Sequence, residues 1–420
     1  MNKKKIWFVR EGDNLPLDGN NQKLFRVGLV CKNLLEHDDL EILWWTSEFN
    51  HSKKTHRSKR TIDYNMTDNY TIRMMKGFGY KKNFSIRRIL HNILTARTFK
   101  RLSSKETKPD IIIGSIPTIE TAFQIVKYGK RNNIPTIIDV RDLWPDLYIE
   151  YAPKPFKWFI RIAILPLKRK MRWLMKNASN IYATSDRFLS WALDYANREQ
   201  RISDKVFNVA YEKSEYSNLE NEIEHLYNIG INKNDFVCCF FGQFGNAVDI
   251  ETVLMASKLF CDDDKVKFVI CGVGEKIDKY KKITEGQTNV IYPGWVNQRE
   301  IAALGHISSV GLMSYVPNKN YEMSMPNKFG EYLSMGLVIL LQPKGVMEDL
   351  INQYKCGFQY SSSEELYKHI MILKNDRKMV EDMKNNSMIL FEERFNSLKV
   401  YKQYADSILE VISKEESNEI

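Results

Sequence analysis

The residues best placed to do chemistry stand in "SMPNKFGEYLSMG", residues 324–336, just before the apolar run "LVILL". Pro326 suits the first turn of a helix and Gly336 its end, so Lys328 and Glu331 fall three residues apart on the opening turns. Backbone N–H groups are unpaired there and the helix dipole is positive, which suits an anion. A second pair, Arg141 and Asp142, follows the apolar run "TIIDV" directly. That is a strand's C-terminal edge, where α/β folds place ligands; an Arg–Asp surface pair at a proline turn is the plainer alternative. Ser115 ends "DIIIGS" in the same way, and Gly19, beside Asn20 in "LPLDGNNQKLFR", supplies a loop that a ligand can approach closely. "CFFGQFGNAVDIETVLMAS" takes a strand through Gly242, Gln243, Gly245 and Asn246 into a helix near Asp249, and amides in such a turn suit a phosphate. G-x-x-G without a third glycine or a distal acid is no dinucleotide fingerprint, and Gly272 in "CGVGE" is as weak. Each is also an ordinary strand-to-helix turn.

These groups need a scaffold, and its pattern runs through the chain. Apolar runs, "KIWFV", "LEILWW", "DIIIGS", "TIIDV", "NIYATS", "FVCCFFG", "VKFVICG", "NVIYPG", "VGLMSY" and "LVILLQ", alternate with segments of helical period. Strands apolar on both faces and separated by helices predict parallel α/β sheets. The series breaks over about 205–235, which is polar and is expected to lack a strand. Two doubly wound domains are expected, with ligand in a cleft facing the strand C-terminal edges. The apolar positions 398, 401, 404, 408, 409 and 412 mark a final helix that needs a surface to cover.

With 420 residues, 43% hydrophobic and 12% aromatic, the chain is long enough for two cores. The start "MNKKKIWFVREGD" is expected not to be a signal peptide, and no apolar run reaches membrane-spanning length. Six cysteines without a C-x-x-C pair suggest a reducing cytosol, and seven scattered histidines give no metal pattern. Charge divides unevenly: residues 1–210 hold 39 Lys and Arg against 21 Asp and Glu, the remainder 23 against 31. The basic half therefore suits an anionic, extended partner. Residues 153–176 carry eight Lys or Arg and no acid, with positions 157, 161, 168, 172 and 176 near one helical face. Residues 84–102 place Ile86, Ile89, Leu90, Ile93 and Leu94 on one stripe among five basic residues. Both suit an anionic membrane surface; core-facing helices with solvated basic backs are the alternative. No nucleic-acid-binding motif is present.

Taken in order, these motifs resemble the retaining GT-B glycosyltransferases of the GT4 type, especially bacterial capsule and O-antigen enzymes in a fucosamine-transferase-like branch. The N-terminal "EGDNLPLDGNNQKLFRVGLV", "WWTSEFNHSKKTHR", "KPDIIIGSIPT" and "DVRDLWPD" are similar to its acceptor side. "VICGVGEKIDKYKK", "NVIYPGWVNQREIAAL", "VGLMSY" and "MPNKFGEYLSMGLVIL" follow in the family's order. The resemblance implies an acceptor-binding, membrane-facing domain over 1–205, a nucleotide-sugar-binding domain over 206–390, and a helix over 391–420 crossing back to the first. It implies donor-nucleotide contacts from Gly242, Gln243, Gly245, Asn246, Gly272, Trp295, Val296, Asn327, Lys328 and Glu331, with Lys328 at the diphosphate and Glu331 at the ribose. Glu322, Met323, Ser324 and Met325 fall at the donor sugar; Met323 takes the place of the first glutamate of the family's Glu-x7-Glu pattern, with Glu322 one residue before it. Gly19, Asn20, Ser115, Arg141 and Asp142 fall on the acceptor side, Arg141 and Asp142 among the catalytic groups with Lys328 and Glu331.

The function implied is transfer of a hexosyl or N-acetylhexosaminyl group from a nucleotide sugar, UDP-linked first among the candidates, to a polyprenyl-diphosphate-linked glycan. It would proceed without metal or cofactor, in the cytoplasm on the inner face of the cell membrane. A nucleotide-sugar 2-epimerase of the same architecture and an inactive glycosyltransferase-like subunit are the alternatives.

Overall fold

The computed structural model describes residues 3–19, 24–82, 85–213 and 216–418. The chain divides into two compact units, Met1–Asn208 with Val400–Ile420, and Val209–Lys399.

In the first unit the strands are β1 (Lys4–Val9), β2 (Leu40–Ser47), β3 (Phe49–Asn50), β4 (Thr55–His56), β5 (Ile62–Thr67), β6 (Tyr70–Met75), β7 (Ile111–Ile116), β8 (Thr136–Val140), β9 (Asn180–Ala183) and β10 (Lys205–Val206). Eight form one sheet in the order β10-β9-β8-β7-β1-β2-β6-β5, and β3 pairs with β4. The fully apolar runs lie inside this sheet and pair in parallel, as their burial on both faces requires. The order reverses direction between β1 and β7, so the ends of those two strands form the topological switch point.

Three features depart from the sequence pattern. The hairpin β5–β6 is antiparallel, and β5 alternates partly buried with exposed residues because it forms the sheet edge. β10 falls in the stretch expected to lack a strand, which also forms the helix Glu220–Asn228. Residues 153–176 do not make one basic helix. A short 3-10 turn leads into the helix Lys157–Ala163, and Pro166, which suits a first turn, opens a second helix, Leu165–Asn177. The second helix buries Met171, Leu174 and Met175, and its Lys168 pairs with Asp146 at 2.6 Å.

The final helix, Ser397–Asn418, completes this unit from residue 400 onward. Tyr401, Tyr404, Ile408 and Ile412 of its apolar stripe are buried, whereas Leu398 is exposed. The Tyr404 ring stacks on Phe207 at 4.8 Å and meets Tyr182 edge-on at 5.2 Å. Beneath it Arg26, fully buried, gives two hydrogen bonds to Asp139 (2.8 and 2.9 Å) and one to the Phe207 carbonyl (2.6 Å), with its guanidinium 4.8 Å from the Tyr404 ring centre.

The second unit has β11 (Phe236–Phe241), β12 (Val266–Cys271), β13 (Val290–Ile291), β14 (Val310–Met313), β15 (Val338–Leu341) and β16 (Gly357–Gln359). They form one parallel sheet in the order β13-β12-β11-β14-β15-β16, with the switch point between β11 and β14. All ten apolar runs read from the sequence are strands.

Candidate active site

The helix Asn327–Ser334 positions the second unit's principal charged groups. Pro326 precedes it without a side-chain cap. At its far end Gly336 (φ 64°) and Leu337 return amide hydrogen bonds to Leu333 and Tyr332. Phe329, Tyr332 and Leu333 are buried, and Tyr332 packs so closely on β14 that a Cβ at Gly311 would meet its ring at 2.7 Å. This buried face fixes the rotation of the helix, and with it Lys328 and Glu331.

Lys328 reaches the ends of β11 and β14, the switch point of this sheet. Its ammonium lies 3.7 Å from the Phe240 ring centre, 5.5 Å from Tyr315 and 5.9 Å from Phe241. A Cβ at Gly242 would stand 2.8 Å from Nζ, so the glycine leaves room for the cation. Burial pulls Lys328 down to about 7, partly offset by the carboxylate of Glu331. Glu331 accepts a hydrogen bond from the Tyr211 hydroxyl at 2.9 Å, and burial followed by this carboxylate pushes the phenol above its ordinary value. The backbone of Tyr211 is itself fixed, its N–H to Phe395 O at 2.8 Å and its carbonyl to Ser397 N at 3.2 Å. A recess of about 380 Å³ opens beside this pair, lined among others by Tyr211, Tyr216, Gln298, Ile301, Glu331 and Ser334.

Three glycines let the neighbouring strand ends converge. A Cβ at Gly272 (φ 147°) would fall 1.8 Å from Gly242 O, and Gly272 N donates to Gly294 O at 2.7 Å. Trp295 follows Gly294 and is exposed, while Val296 packs partly on the core. The turn holding Gln243, Gly245 and Asn246 differs from expectation. The carboxylate of Asp249 already caps the helix Ile250–Lys258, accepting from Thr252 N (3.2 Å), Thr252 Oγ1 (2.7 Å) and Gln342 Nε2 (2.6 Å). The amides of Gly242 and Phe244 bond to Cys271 O and Val273 O. An anion here would meet the fixed negative charge of Asp249, which occupies the Thr252 amide and is itself faced by Lys276, whereas Lys328 stands at the strand ends with Glu331, on its own helix, as the carboxylate facing it.

Glu322 and Met323 end a short helix, Lys319–Met323, capped by Asn318. Glu322 is exposed, Met323 and Ser324 are partly buried, and Met325 joins the core. Gly345 fixes this segment, because a Cβ there would overlap the Glu322 carbonyl oxygen at 2.1 Å. Asn327 is exposed on the opening turn beside Lys328.

In the first unit, charged groups gather at the strand ends around the switch point. Arg141 follows β8 and bonds Asp13, on the loop after β1, at 3.2 Å; Arg10 holds the same carboxylate from its Nε at 2.9 Å. Burial would raise Asp13, but the two guanidinium groups hold it below the usual carboxylate range. Asp142 points elsewhere, accepting from Leu143 N and from Trp144 Nε1, and burial raises its pKa. Ser115 is buried in β7 opposite Asp139. Gly19 (φ 131°) ends a loop pinned by Arg57, which bonds both oxygens of Asp18 and the Asp13 carbonyl. Asn20 lies outside the described residues. Thus Arg141 joins Arg10 and Asp13, and Asp142 joins Trp144.

The sequence reading passed over Glu11. It accepts hydrogen bonds from Thr121 Oγ1 (2.8 Å) and Thr95 Oγ1 (3.4 Å), and burial pushes it up to about 7 despite them. The signal was available: "REGD" leaves β1 as "RD" leaves β8, at a strand's C-terminal edge. Tyr211 carried no such signal, because its partner lies 120 residues away.

Residues 222–388 match the model of the family described as glycosyl transferases group 1. No curated protein matches the chain by sequence. Solved structures match it in fold over nearly its whole length. Anabaena HepE in complex with UDP is 14% identical with a TM-score of 0.65, over 97% of this chain and 100% of that one. Sucrose-phosphate synthase from Thermosynechococcus elongatus is 11% identical with a TM-score of 0.69, over 98% and 100%. An E. coli trehalose-6-phosphate protein bound with UDP-2-fluoro glucose is 12% identical with a TM-score of 0.66, over 97% and 99%. The chain therefore has the GT-B fold, and residues 222–388, the greater part of its second unit, match glycosyl transferases group 1, which supports a glycosyltransferase.

Proposed function

We propose that this glycosyltransferase moves a sugar from a nucleoside-diphosphate sugar, UDP-linked, to a polyprenyl-diphosphate-linked glycan in bacterial surface-polysaccharide synthesis, with retention of anomeric configuration. The observation that carries the donor half is Lys328, a single ammonium held among three rings at the second sheet's switch point. As the glycosidic bond breaks, negative charge grows on the departing diphosphate, and a pre-positioned cation in a desolvated place stabilises that charge most. Glu331, oriented by Tyr211, accepts from the ribose hydroxyls, and the acceptor hydroxyl loses its proton to a phosphate oxygen of the leaving group. No metal enters this scheme, since Lys328 supplies the positive charge. HepE with UDP-glucose and the E. coli protein with UDP-2-fluoro glucose support a uridine donor in this fold.

The lipid half rests on the first unit's surface. Phe156, Trp158, Phe159 and Ile162 are 56–65% exposed beside Lys154, Lys157 and Arg161. On the helix Ile86–Ser103 the residues Ile86, Ile89 and Leu90 are exposed together with Arg87, Arg97, Lys100 and Arg101, Ile93 and Leu94 are partly buried, and His91, Thr95, Ala96 and Phe99 face inward; Phe84 lies outside the described residues. Aromatic and aliphatic side chains set among cations suit the interface of an anionic bilayer, here the cytoplasmic face of the cell membrane. Among the described residues no helix is long and apolar enough to cross a membrane.

A panel of UDP-, GDP- and dTDP-sugars tests the donor reading by thermal shift, followed by transfer to a lipid-linked acceptor with the product anomer read by NMR. A UDP-sugar should raise the unfolding temperature. If none of the three classes does, the proposal falls.

A further inference from the structure

The first unit has a recess of about 80 Å³ at its switch point, lined among others by Arg10, Glu11, His51, Tyr80, Arg88 and His91. It is small, with room for one charged group rather than an oligosaccharide. Its walls are rigid. His51 Nδ1 and the Tyr80 hydroxyl are 2.6 Å apart, and Phe49, Tyr80 and His91 pack ring against ring at 4.9 to 5.6 Å. Aromatic faces hold the nearby cations: Arg88, in the lining, lies 5.3 Å from the Trp144 ring centre and 5.7 Å from Tyr80, and Lys54, outside the lining, lies 4.9 Å from Tyr80. Gly79 N donates to His91 Nδ1 at 3.2 Å, so the neutral ring carries its proton on Nε2.

The lining holds two guanidinium groups, Arg10 and Arg88, and one carboxyl, Glu11; Glu120 and Asp142 also face Arg88, and burial raises both above the ordinary carboxylate value. Burial lowers both histidines to about 4, and the neighbouring cations Lys54, Arg88 and Arg10 for His51, and Arg88 for His91, push the same way. The one lining carboxyl, Glu11, is buried against two threonine hydroxyls, and Asp13 is already shared by Arg10 and Arg141. A small recess walled by guanidinium groups and imidazoles recognises an oxyanion, with Arg supplying planar, charged donors.

We propose that this recess anchors the acceptor through an anionic group, a carboxylate or a phosphate, carried by the glycan that receives the sugar. The proposal rests on the transferase reading and adds the acceptor's chemical class to it.

Binding of glucuronate, glucose 6-phosphate and glucose to the full chain, with UDP present in saturating amount, reads the preference by calorimetry. At least one anionic sugar should bind about tenfold or more tightly than glucose. The one that does identifies the group as carboxylate or phosphate. R88Q should reduce the preference to within about twofold, and R88K, which keeps a charge but loses the planar fork, should fall between R88Q and the parent. Measured without UDP, K328Q should keep the preference, which separates this recess from the donor site. Equal binding of all three sugars overturns the proposal, as does a preference lost in K328Q and kept in R88Q. Failure of UDP itself to bind would strike the transferase reading and leave the R88Q comparison standing.

Discussion

Nζ of Lys328 stands 2.8 Å from the point that a Cβ on residue 242 would occupy. The two positions are 86 residues apart in sequence, yet the absence of one side chain is what admits the other. Gly242→Ala should therefore displace the ammonium and also strain a backbone at φ 151°. The ammonium is the far end of a flexible side chain and gives way by roughly half an ångström, so with a misplacement of about 1 Å costing on the order of 100-fold the expected loss in rate is about tenfold, and the strain costs about 1 kcal/mol of stability. Steady-state transfer assays and urea unfolding should show both; turnover within twofold of the parent would contradict the placement.

Glu331 and Tyr211 act as a pair through their 2.9 Å hydrogen bond. Glu331→Ala should weaken UDP binding by about 1.5–3 kcal/mol, the range for hydrogen bonds to a charged group. Tyr211→Phe removes only the group that orients the carboxylate and should cost less, about 1 kcal/mol. Calorimetric titration with UDP distinguishes them, and unchanged affinity in Glu331→Ala would remove the ribose assignment.

Because burial lowers Lys328 to about 7, donor binding should be linked to a proton. A bound diphosphate favours the charged ammonium and raises its pKa, so above pH 7 binding must take up a proton. UDP affinity should then fall as pH rises from 7 towards 9, by up to about tenfold per unit, and proton uptake should vanish below pH 6. Titrations in two buffers of different ionisation enthalpy measure this uptake. None at pH 8 would mean that the cation is already charged in the free protein.

Trp158, Phe159 and Ile162 are exposed and belong to a helix that buries none of its residues. Replacing all three by serine should leave the unfolding temperature within a degree or two, since exposed substitutions change stability by only about 0.5 kcal/mol each. The same variant should lose flotation with vesicles containing anionic lipid. Full retention on the vesicles would place the membrane contact elsewhere or remove it.

Asp139→Asn leaves the buried Arg26 guanidinium without its counter-charge and should destabilise the first unit by about 3–5 kcal/mol. Chemical denaturation followed by near-ultraviolet signals of the tryptophans reads this loss. A cost below about 1 kcal/mol would mean that Tyr404 and the backbone carbonyls suffice to hold the cation.

What the chain reveals by inspection follows the range of the interactions involved. Strands such as "TIIDV" and "FVCCFF" are buried on both faces, so their identity is written locally. The helix bearing Lys328 was legible for the same reason, with proline before it and glycine after it. β5 was not, because its residues alternate around the sheet edge and only β6 gives it a partner. The stripe of Ile86, Ile89, Leu90, Ile93 and Leu94 divides in the structure, its first three residues exposed and its last two partly buried, because sequence alone does not say which side of a helix meets the core, and here Phe99 and Ala96 do. Asp249 shows what a motif leaves out: a glycine-containing turn before a helix suggests open amides, and the carboxylate three residues before Thr252 occupies one of them and sets a negative charge beside the turn. Pairs such as Tyr211 with Glu331, or Arg26 with Asp139, join distant stretches and appear only once the chain has folded.

The seat of Tyr404 on Phe207 and Tyr182 has a consequence for the order in which the protein is made. A ribosome releases residues 1–208 long before residue 404, so the nascent first unit spends the synthesis of the whole second unit with that aromatic seat uncovered. Its final consolidation waits for residue 404 to emerge. A nonsense codon anywhere after residue 208 and before 400 would thus damage the first-made part of the molecule as well as the last.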